Sequence, residues 1–390
     1  MKKFFVKITT VFLIFALFLP LIFSIEASAE GSYEVIYTEA KACVVIDKKT
    51  GRILGGHNIE DKLPMASTTK IMTALLTLEA GNLDEWFVVD SEAIKVEGSS
   101  MGLVEGDEVT LRALLYGMML PSGNDAANAA AVKVGGTIED FVYKMNKKAE
   151  ELGLENTQFK NPSGLDADGH FSTALDMAKL CAAAMEYEEF REICCLTKAQ
   201  VEFGNPPYKR WLENYNKLLT LYPYAIGVKT GFTENAYRCL VSAAEKDGNE
   251  LICVTLNCAN DWETHKNLYE KYFSQIKKTS ISDFIPKNLD IANSAVVKNG
   301  EKITQISLKS TDEDIILLPR DILSCEIFSQ PLIFAPVYKN DVVGEAVFYL
   351  NGEEYFRKAL ISEEDILCSD KEKRFSLIDR LCNFIIQLFW

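Results

Sequence analysis

Residues 64–78 read PMASTTKIMTALLTL, and this stretch predicts a central helix of the first domain. Its apolar residues recur at helical spacing and predict a buried face: Ile71, Met72, Leu75 and Leu76. Pro64 precedes the helix, and the hydroxyl residues at 67–69 can cap its start. Gly81 is a typical helix end. We therefore expect a helix from about Ser67 to Gly81.

Ser67 and Lys70 stand three residues apart in the first turn of this predicted helix, so both side chains lie on one helix face. A serine hydroxyl is a weak nucleophile until a base takes its proton, and lysine is such a base only when its amine is neutral. The Ser67 N–H has no helical partner and could bind an oxyanion. The alternative interpretation is a Ser/Thr-rich cap beside a solvated lysine. The spacing alone is not specific, because Ser274 and Lys277 repeat it in a charged helix.

Composition limits the classes of protein to consider. The chain has 390 residues, of which 48% are hydrophobic and 25% charged, enough for two domains with cores of their own. Its net charge of −15 argues against nucleic acid as a partner.

The first 29 residues predict a secretory signal. Three lysines precede an apolar run at 11–23, and Ala27-Ser28-Ala29 forms a small-residue cleavage site. The alternative is a retained anchor, but the apolar run is shorter than the roughly 20 residues that a span requires. We expect an exported protein.

Ten cysteines in an exported chain raise the question of disulfides or metal. Five of them fall in apolar strand or helix patterns, where free cysteine behaves as a small hydrophobe: Cys43, Cys181, Cys239, Cys253 and Cys258. Cys194-Cys195 and the three scattered histidines match no zinc spacing. We expect no metal and no other cofactor.

The first domain is predicted at 30–277. A hairpin is expected at 42–55, a loop at 82–109 and helices at 110–120, 125–134, 137–152 and 172–185. The Gly98-Ser99-Ser100-Met101-Gly102 segment matches a nucleophile-elbow pattern but lacks its strand-turn-helix context, so we interpret it as loop. Strands are expected at 225–230, 238–245 and 250–257, followed by a helix at 262–277. Strands at both ends of a helical region predict an α/β domain in which the N-terminal hairpin joins the late strands in one antiparallel sheet.

A hinge-like stretch around Pro286 leads to a second domain, predicted as a small all-β sandwich at 283–368. Short β runs are expected at 295–297, 303–308, 315–318, 332–334 and 346–350, and Asn351-Gly352 is a hairpin turn. The last residues, 371–390, predict an amphipathic helix. Its polar stripe consists of Ser376, Asp379, Arg380, Asn383 and Gln387. Such a helix lies in a membrane interface, and the alternative is that it packs on the protein.

Two further motifs accompany Ser67 and Lys70. Ser122-Gly123-Asn124 lies at a predicted helix junction, and Lys229-Thr230-Gly231 ends an apolar strand. Burial beside a second cation lowers the pKa of a lysine base, and Lys229 is the candidate. A second copy of the triplet, Lys49-Thr50-Gly51, falls in the predicted hairpin turn and is interpreted as a turn signal.

Ser-x-x-Lys, Ser-x-Asn and Lys-Thr-Gly in this order resemble the penicillin-recognising serine hydrolases. PMASTTKIMTALL, PSGNDAANA, NPSGLDADGH, NYNKLL and GVKTGFT are similar to stretches of D-alanyl-D-alanine carboxypeptidases, low-molecular-mass penicillin-binding proteins, over residues 35–275. The resemblance implies a β-lactamase/DD-peptidase-like fold, and a second domain and C-terminal amphipathic anchor are usual in that family.

The resemblance also implies roles for individual residues. Ser67 would be acylated and Lys70 would be its base, while Ser122 and Asn124 would relay a proton and hold the substrate amide. Lys229 and Thr230, with Gly231 in the same strand, would bind the terminal carboxylate, and the N–H groups of Ser67 and Phe232 would form the oxyanion hole. Neither Tyr237-Arg238 nor the segment around Trp262 gives a secure second cationic clamp.

The function this implies is removal of the terminal D-alanine from peptidoglycan stem peptides ending in D-Ala-D-Ala, with covalent binding of β-lactams. Two alternatives remain at this point. A serine β-lactamase would use a water-positioning glutamate, but no Glu-x-x-Leu-Asn segment lies between 122 and 229. A penicillin-binding sensor would need transmembrane and cytoplasmic parts.

Overall fold

The structure is a computed structural model that describes residues 33–280 and, beyond them, 294–295, 297–298, 304–308, 314–329, 333–334, 336–362 and 364–367. The predicted signal at 1–29, the hinge around Pro286 and the predicted amphipathic helix at 371–390 lie outside the described residues. Within the described part of the chain, no helix is long and apolar enough to cross a membrane.

The main sheet of the first domain contains strands from both ends of that domain. Its strands are β1 (Glu34–Val35), β2 (Ala42–Asp47), β3 (Ile53–His57), β8 (Ala225–Thr233), β9 (Tyr237–Lys246) and β10 (Asn249–Leu256). Their spatial order is β1-β3-β2-β10-β9-β8. β2 pairs antiparallel with β10, with Val44 opposite Val254. The predicted sheet, in which the N-terminal hairpin joins the late strands, is therefore confirmed.

Eight α-helices are described, and most of them separate β3 from β8. They are α1 (Lys70–Ala80), α2 (Leu111–Met119), α3 (Asn124–Gly135), α4 (Ile138–Glu151), α5 (Ala174–Ala184), α6 (Glu188–Cys195), α7 (Leu218–Leu221) and α8 (Asp261–Gln275). Threonine side chains cap three of them by accepting a backbone N–H three residues on: Thr110, Thr137 and Thr173. α8 ends two residues before the predicted boundary at 277.

The start of the central helix differs from the prediction. A 3₁₀ turn, Ala66–Thr69, precedes α1, and no side chain caps either segment. The Thr68 hydroxyl donates to the Met65 carbonyl at 2.6 Å, and the Thr69 hydroxyl contacts His170. These hydroxyls therefore have other partners than the expected cap. Residues 70–78 are buried on every side, so α1 runs through the core of the domain.

The structure contains a second, four-stranded sheet that the sequence patterns did not predict. It contains β4 (Phe87–Val88), β5 (Glu108–Val109), β6 (Lys198–Gly204) and β7 (Pro207–Glu213), in that order. Two of these short strands fall in the segment predicted as loop, although residues 98–102 are indeed irregular. β6 and β7 form a hairpin in which most side chains are at least partly exposed, so the pattern of buried apolar residues is weak there. The middle of the domain is therefore not wholly helical.

Beyond residue 276 the described chain is made of strands. They are β11 (Lys277–Ser280), β12 (Ser294–Ala295), β13 (Val297–Lys298), β14 (Thr304–Leu308), β15 (Asp314–Leu317), β16 (Leu323–Ser329), β17 (Ile333–Phe334), β18 (Val342–Leu350) and β19 (Glu353–Ser362). Five of them form the sheet β12-β14-β19-β18-β16. The Asn351-Gly352 turn joins β18 to β19 with positive φ at both residues, as predicted for a hairpin. β16 was not predicted.

The eight cysteines in the described part of the chain are free, and six of them are buried. Burial raises the pKa of the Cys239 thiol to about 12. These six therefore act as small apolar side chains, as predicted for the five that fall in apolar patterns.

Candidate active site

Ser67 and Lys70 meet at the 3₁₀ turn that leads into α1. The Lys70 Nζ lies 3.0 Å from the Ser67 Oγ. The same nitrogen lies 2.6 Å from the Asn124 Oδ1 and 2.6 Å from the Ser163 carbonyl oxygen. Lys70 is fully buried. A lysine that spacing alone could not distinguish from a solvated surface residue is therefore enclosed among three oxygens.

These three contacts leave one place on the neutral Lys70 amine, its lone pair, that can accept a proton. A neutral lysine amine has two N–H groups and one lone pair. The amide oxygen of Asn124 and the carbonyl of Ser163 can only accept, whereas the Ser67 hydroxyl can also donate. Two N–H groups directed to the two carbonyl oxygens leave the lone pair for the Ser67 O–H. The geometry therefore suits proton transfer from serine to lysine.

The electrostatics favour the neutral amine. Burial lowers the pKa of Lys70 well below its usual value, and the nearby positive charge of Lys229 lowers it further, while the Asp125 carboxylate raises it. Burial also lowers the pKa of Lys229, to about 7. The charge of Lys229 therefore disfavours the charged form of Lys70, as the sequence predicted for this pair.

The junction of α2 and α3 brings Ser122 and Asn124 to the site. Ser122 is buried and has a positive φ of 62°, an unusual conformation for a residue with a side chain. Asn124 is the first residue of α3, and its side chain contacts Lys70 directly. Among the described residues, no hydrogen bond joins the Ser122 hydroxyl to Ser67 or Lys70. Asn124 is therefore hydrogen-bonded to Lys70, whereas Ser122 is hydrogen-bonded to neither member of the predicted pair.

Strand β8 carries the remaining predicted residues. Lys229 is buried, and its Nζ donates to the Thr230 carbonyl at 2.9 Å. Thr230 is partly buried, and the Phe232 side chain is exposed. Gly231 passes so close to the serine that a Cβ added there would lie 3.0 Å from the Ser67 nitrogen. A larger residue at 231 would therefore push β8 away from Ser67.

Sequence reasoning missed the contribution of the loop at 157–172. Its Ser163 carbonyl accepts from Lys70, and a Cβ on Gly164 would lie 2.0 Å from the Ala66 carbonyl oxygen. The imidazole of His170 fixes the loop: its Nδ1 accepts from the Lys160 N–H at 2.9 Å, so its Nε2–H donates to the Thr69 hydroxyl at 2.8 Å. The sequence singled out NPSGLDADGH for its resemblance to the family, and no sequence pattern indicates a backbone contact with Lys70.

The competing motifs lie outside this site. The Ser274 hydroxyl donates to the Lys271 carbonyl within α8, and Lys277 begins β11. The hydroxyl of Thr50, in the second Lys-Thr-Gly copy, donates to Asp47 in the hairpin turn. Arg238 forms an ion pair with Asp261 at 2.6 Å. In the described part of the chain, no group of three or more His, Cys, Asp or Glu residues could hold a metal ion.

A serine hydroxyl beside a buried lysine amine, at the start of a core helix and against an edge strand of a mostly antiparallel sheet, is the arrangement of a serine acyl-transfer enzyme. Comparisons with known proteins narrow this class. Residues 28–260 match the family described as D-alanyl-D-alanine carboxypeptidase. The carboxypeptidase DacF of Bacillus subtilis is 34% identical over 340 residues, which cover 84% of this chain and 86% of DacF. DacC of Escherichia coli is 31% identical over 90% of this chain and 89% of its own length.

Comparison with solved structures supports the same family. Penicillin-binding protein 5 of Haemophilus influenzae matches with a TM-score of 0.68 and 26% identity, over 85% of this chain and 98% of that chain. A D-alanyl-D-alanine carboxypeptidase of Mycobacterium tuberculosis matches with a TM-score of 0.59 and 33% identity, over 63% of this chain and 95% of that chain. The chain belongs to the D-alanyl-D-alanine carboxypeptidase family. It is a serine-type carboxypeptidase of a family that acts on D-Ala-D-Ala peptides of peptidoglycan and binds β-lactams covalently.

Proposed function

We propose that Ser67 is the acylated nucleophile of this carboxypeptidase and Lys70 its general base. The observation that carries the proposal is the Lys70 amine, which is buried, held by two carbonyl oxygens and 3.0 Å from the Ser67 Oγ. Lys70 takes the hydroxyl proton as the Ser67 oxygen attacks the carbonyl between the two D-alanines. The terminal D-alanine leaves with a proton on its amine. Water then hydrolyses the ester on Ser67, and the serine is regenerated.

The remaining predicted residues are proposed to bind substrate. β8 is the last strand of the main sheet in the described part of the chain, so its outer backbone groups are available to an extended peptide. The N–H groups of Ser67 and Phe232 are proposed to stabilise the oxyanion. Lys229 and Thr230 are proposed to bind the terminal carboxylate, next to the Gly231 backbone. Asn124 is proposed to hold the substrate amide, and Ser122 to relay a proton.

Covalent labelling tests the nucleophile. The mature protein is incubated with labelled penicillin and digested, and the modified peptide is identified by mass spectrometry. We expect the adduct on Ser67 and its loss in Ser67→Ala. An adduct on Ser274, Ser100 or Ser122 would refute the assignment. Release of D-alanine from a D-Ala-D-Ala peptide, measured on the same samples, relates labelling to turnover.

We also propose that the first domain, 30–277, carries all of the chemistry and that the segment 283–368 is a separate small β-sandwich. The signal at 1–29 supports export, and the polar stripe of 371–390 supports peripheral binding to the outer face of the cytoplasmic membrane. Insertion of one large apolar side chain contributes roughly 1.5 to 3 kcal/mol when complete. Partial insertion of the several apolar residues on the opposite face is therefore sufficient for binding.

A truncated protein tests the membrane proposal. A chain ending near Asp370 should release D-alanine at the same rate as the full mature chain but should not sediment with anionic lipid vesicles. The full chain should sediment, and less so in high salt, because the charges of Lys371, Lys373 and Arg374 at the start of this segment are screened. Equal sedimentation of both proteins would contradict the proposal.

A further inference from the structure

A buried carboxylate lies directly behind the proposed catalytic residues. Asp125 follows Asn124 at the start of α3 and is 2% exposed. Its two oxygens accept hydrogen bonds from one hydroxyl and four backbone N–H groups, three of them consecutive in the loop: Ser100 Oγ (2.5 Å), Met101 N (2.9 Å), Gly102 N (3.0 Å), Leu103 N (3.0 Å) and, in α3 itself, Ala126 N (2.8 Å). A charge buried this deeply requires such partners. Asp125 therefore binds the irregular loop at 97–103 to α3.

The same loop holds the Asn124 amide. The Asn124 Nδ2 donates to the Glu97 carbonyl at 2.7 Å, and its backbone N–H donates to the Ser99 carbonyl at 2.7 Å. Since Nδ2 is engaged by Glu97, the Oδ1 of Asn124 faces the Lys70 Nζ. A Cβ on Gly98 would lie 2.8 Å from Nδ2, so the loop backbone packs against the amide. The direction in which Asn124 points depends on where this loop lies.

The charge of Asp125 also acts on the proposed base. Two charged groups influence Lys70: Lys229, which lowers its pKa, and Asp125, which raises it. The carboxylate therefore partly offsets the second buried cation. No other role for Asp125 is required by the substrate contacts proposed above.

We infer that Asp125 is a positioning residue for the acyl-transfer reaction: it holds the loop at 97–103 so that Asn124 presents its amide oxygen to the Lys70 amine, and its negative charge opposes Lys229 at that amine. The inference rests on the proposed role of Lys70 as the base. Asp125 itself contacts neither Ser67 nor Lys70 by a hydrogen bond among the described residues. Its effect is transmitted through the loop and through the electric field.

The experiment compares acylation by labelled penicillin across pH in wild type and Asp125→Asn. We expect the rate at the pH optimum to fall roughly tenfold to a hundredfold, because small displacements of a catalytic group have effects of this size. The acid limb should move to lower pH, because loss of the carboxylate makes the protonated Lys70 less favourable. The adduct should stay on Ser67. A purely structural defect would lower the folded fraction without moving the acid limb.

Asp47→Asn is the matched control. Asp47 is also a buried carboxylate that accepts from a hydroxyl and a backbone N–H, both of Thr50, but it lies in the β2–β3 hairpin turn. Asp47→Asn should have a lower free energy of unfolding but an unchanged acylation rate per folded molecule. Ser100→Ala is the second test variant, since it removes one contact and keeps the charge. It should speed hydrogen exchange at 101–103 and slow acylation less than Asp125→Asn, with an unmoved acid limb.

The inference is overturned if folded Asp125→Asn reacts at the wild-type rate or keeps the wild-type acid limb. If Asp125→Asn does not fold, the test rests on Ser100→Ala. Unchanged hydrogen exchange at 101–103 together with an unchanged acylation rate in Ser100→Ala would then overturn the inference. Failure of the underlying proposal is distinguishable, because it would appear as labelling away from Ser67 in the wild type or as full activity in Lys70→Ala.

Discussion

Removal of the Lys229 ammonium should slow the enzyme much more in acid than in alkali. Burial lowers the pKa of Lys229 to about 7, so the free enzyme carries this charge below pH 7 and loses it above. A charge-assisted contact with the substrate carboxylate contributes roughly 1.5 to 3 kcal/mol. At pH 6, Lys229→Ala should therefore lower kcat/KM roughly tenfold to a hundredfold. Loss of this cation also raises the pKa of Lys70, which adds to the effect in acid.

The assay is D-alanine release from a D-Ala-D-Ala peptide between pH 6 and pH 9, because kcat/KM reports the titration of the free enzyme. The kcat/KM values of Lys229→Ala and the wild type should converge as the pH rises, because Lys229 of the wild type then loses its own charge. Lys49→Ala, in the second Lys-Thr-Gly copy, is the control and should match the wild type at every pH. A constant ratio between Lys229→Ala and wild type across this range would refute the reasoning, and so would an unchanged rate at pH 6.

Three further predictions concern the same site. Lys229→Met should raise the free energy of unfolding at pH 7 by up to about 5 kcal/mol, because a pKa lowered from 10.5 to about 7 corresponds to a cost of burying the charge of that order. This gain should shrink as the pH rises toward 10.5. Denaturant titrations showing no gain at pH 7 would contradict this. Gly231→Ala should slow acylation roughly tenfold and cost roughly 1 to 3 kcal/mol of stability, because the new Cβ lies 3.0 Å from the Ser67 nitrogen and displaces β8; wild-type labelling kinetics would contradict it. His170→Gln should lose less stability in acid than the wild type. Burial lowers the pKa of His170 to about 4, so between pH 6.5 and pH 4 the unfolded chain takes up the proton first, which lowers the free energy of unfolding of the wild type by about 3 kcal/mol. Identical losses of unfolding free energy in both proteins would contradict this.

The β6–β7 hairpin shows where sequence patterns were insufficient for the fold. Five strands of the main sheet, all except the two-residue β1, were recognisable because their apolar runs are bounded by turn residues, and in β2 and β10 nearly every side chain is buried. The hairpin at 198–213 lacks that pattern, since its side chains are largely exposed and are held by pairing with β5 and by packing on α2. Strands stabilised mainly by their neighbours leave little trace in their own residues.

The sequence by itself determined which residues could take part in chemistry. Three short motifs in order, each at the end or start of a predicted element, distinguished Ser67, Lys70 and Lys229 from the second copies of Ser-x-x-Lys and Lys-Thr-Gly, and they added Asn124 as a candidate. Local physics makes such candidates visible, because helix starts and strand ends are signalled by caps, glycines and apolar periodicity within a few residues.

Only the tertiary structure decided how these residues act on one another. Lys70 contacts Asn124 across 54 positions and the Ser163 carbonyl across 93. Burial and the charge of Lys229 lower the pKa of Lys70, and the charge of Asp125 opposes that shift. A backbone carbonyl and a loop held by a buried carboxylate have no sequence signature. Desolvation and long-range charge are properties of the packed chain. The sequence named Lys229 as the candidate second cation, but only packing shows that Lys70 is fully buried and that Asp125 acts on it.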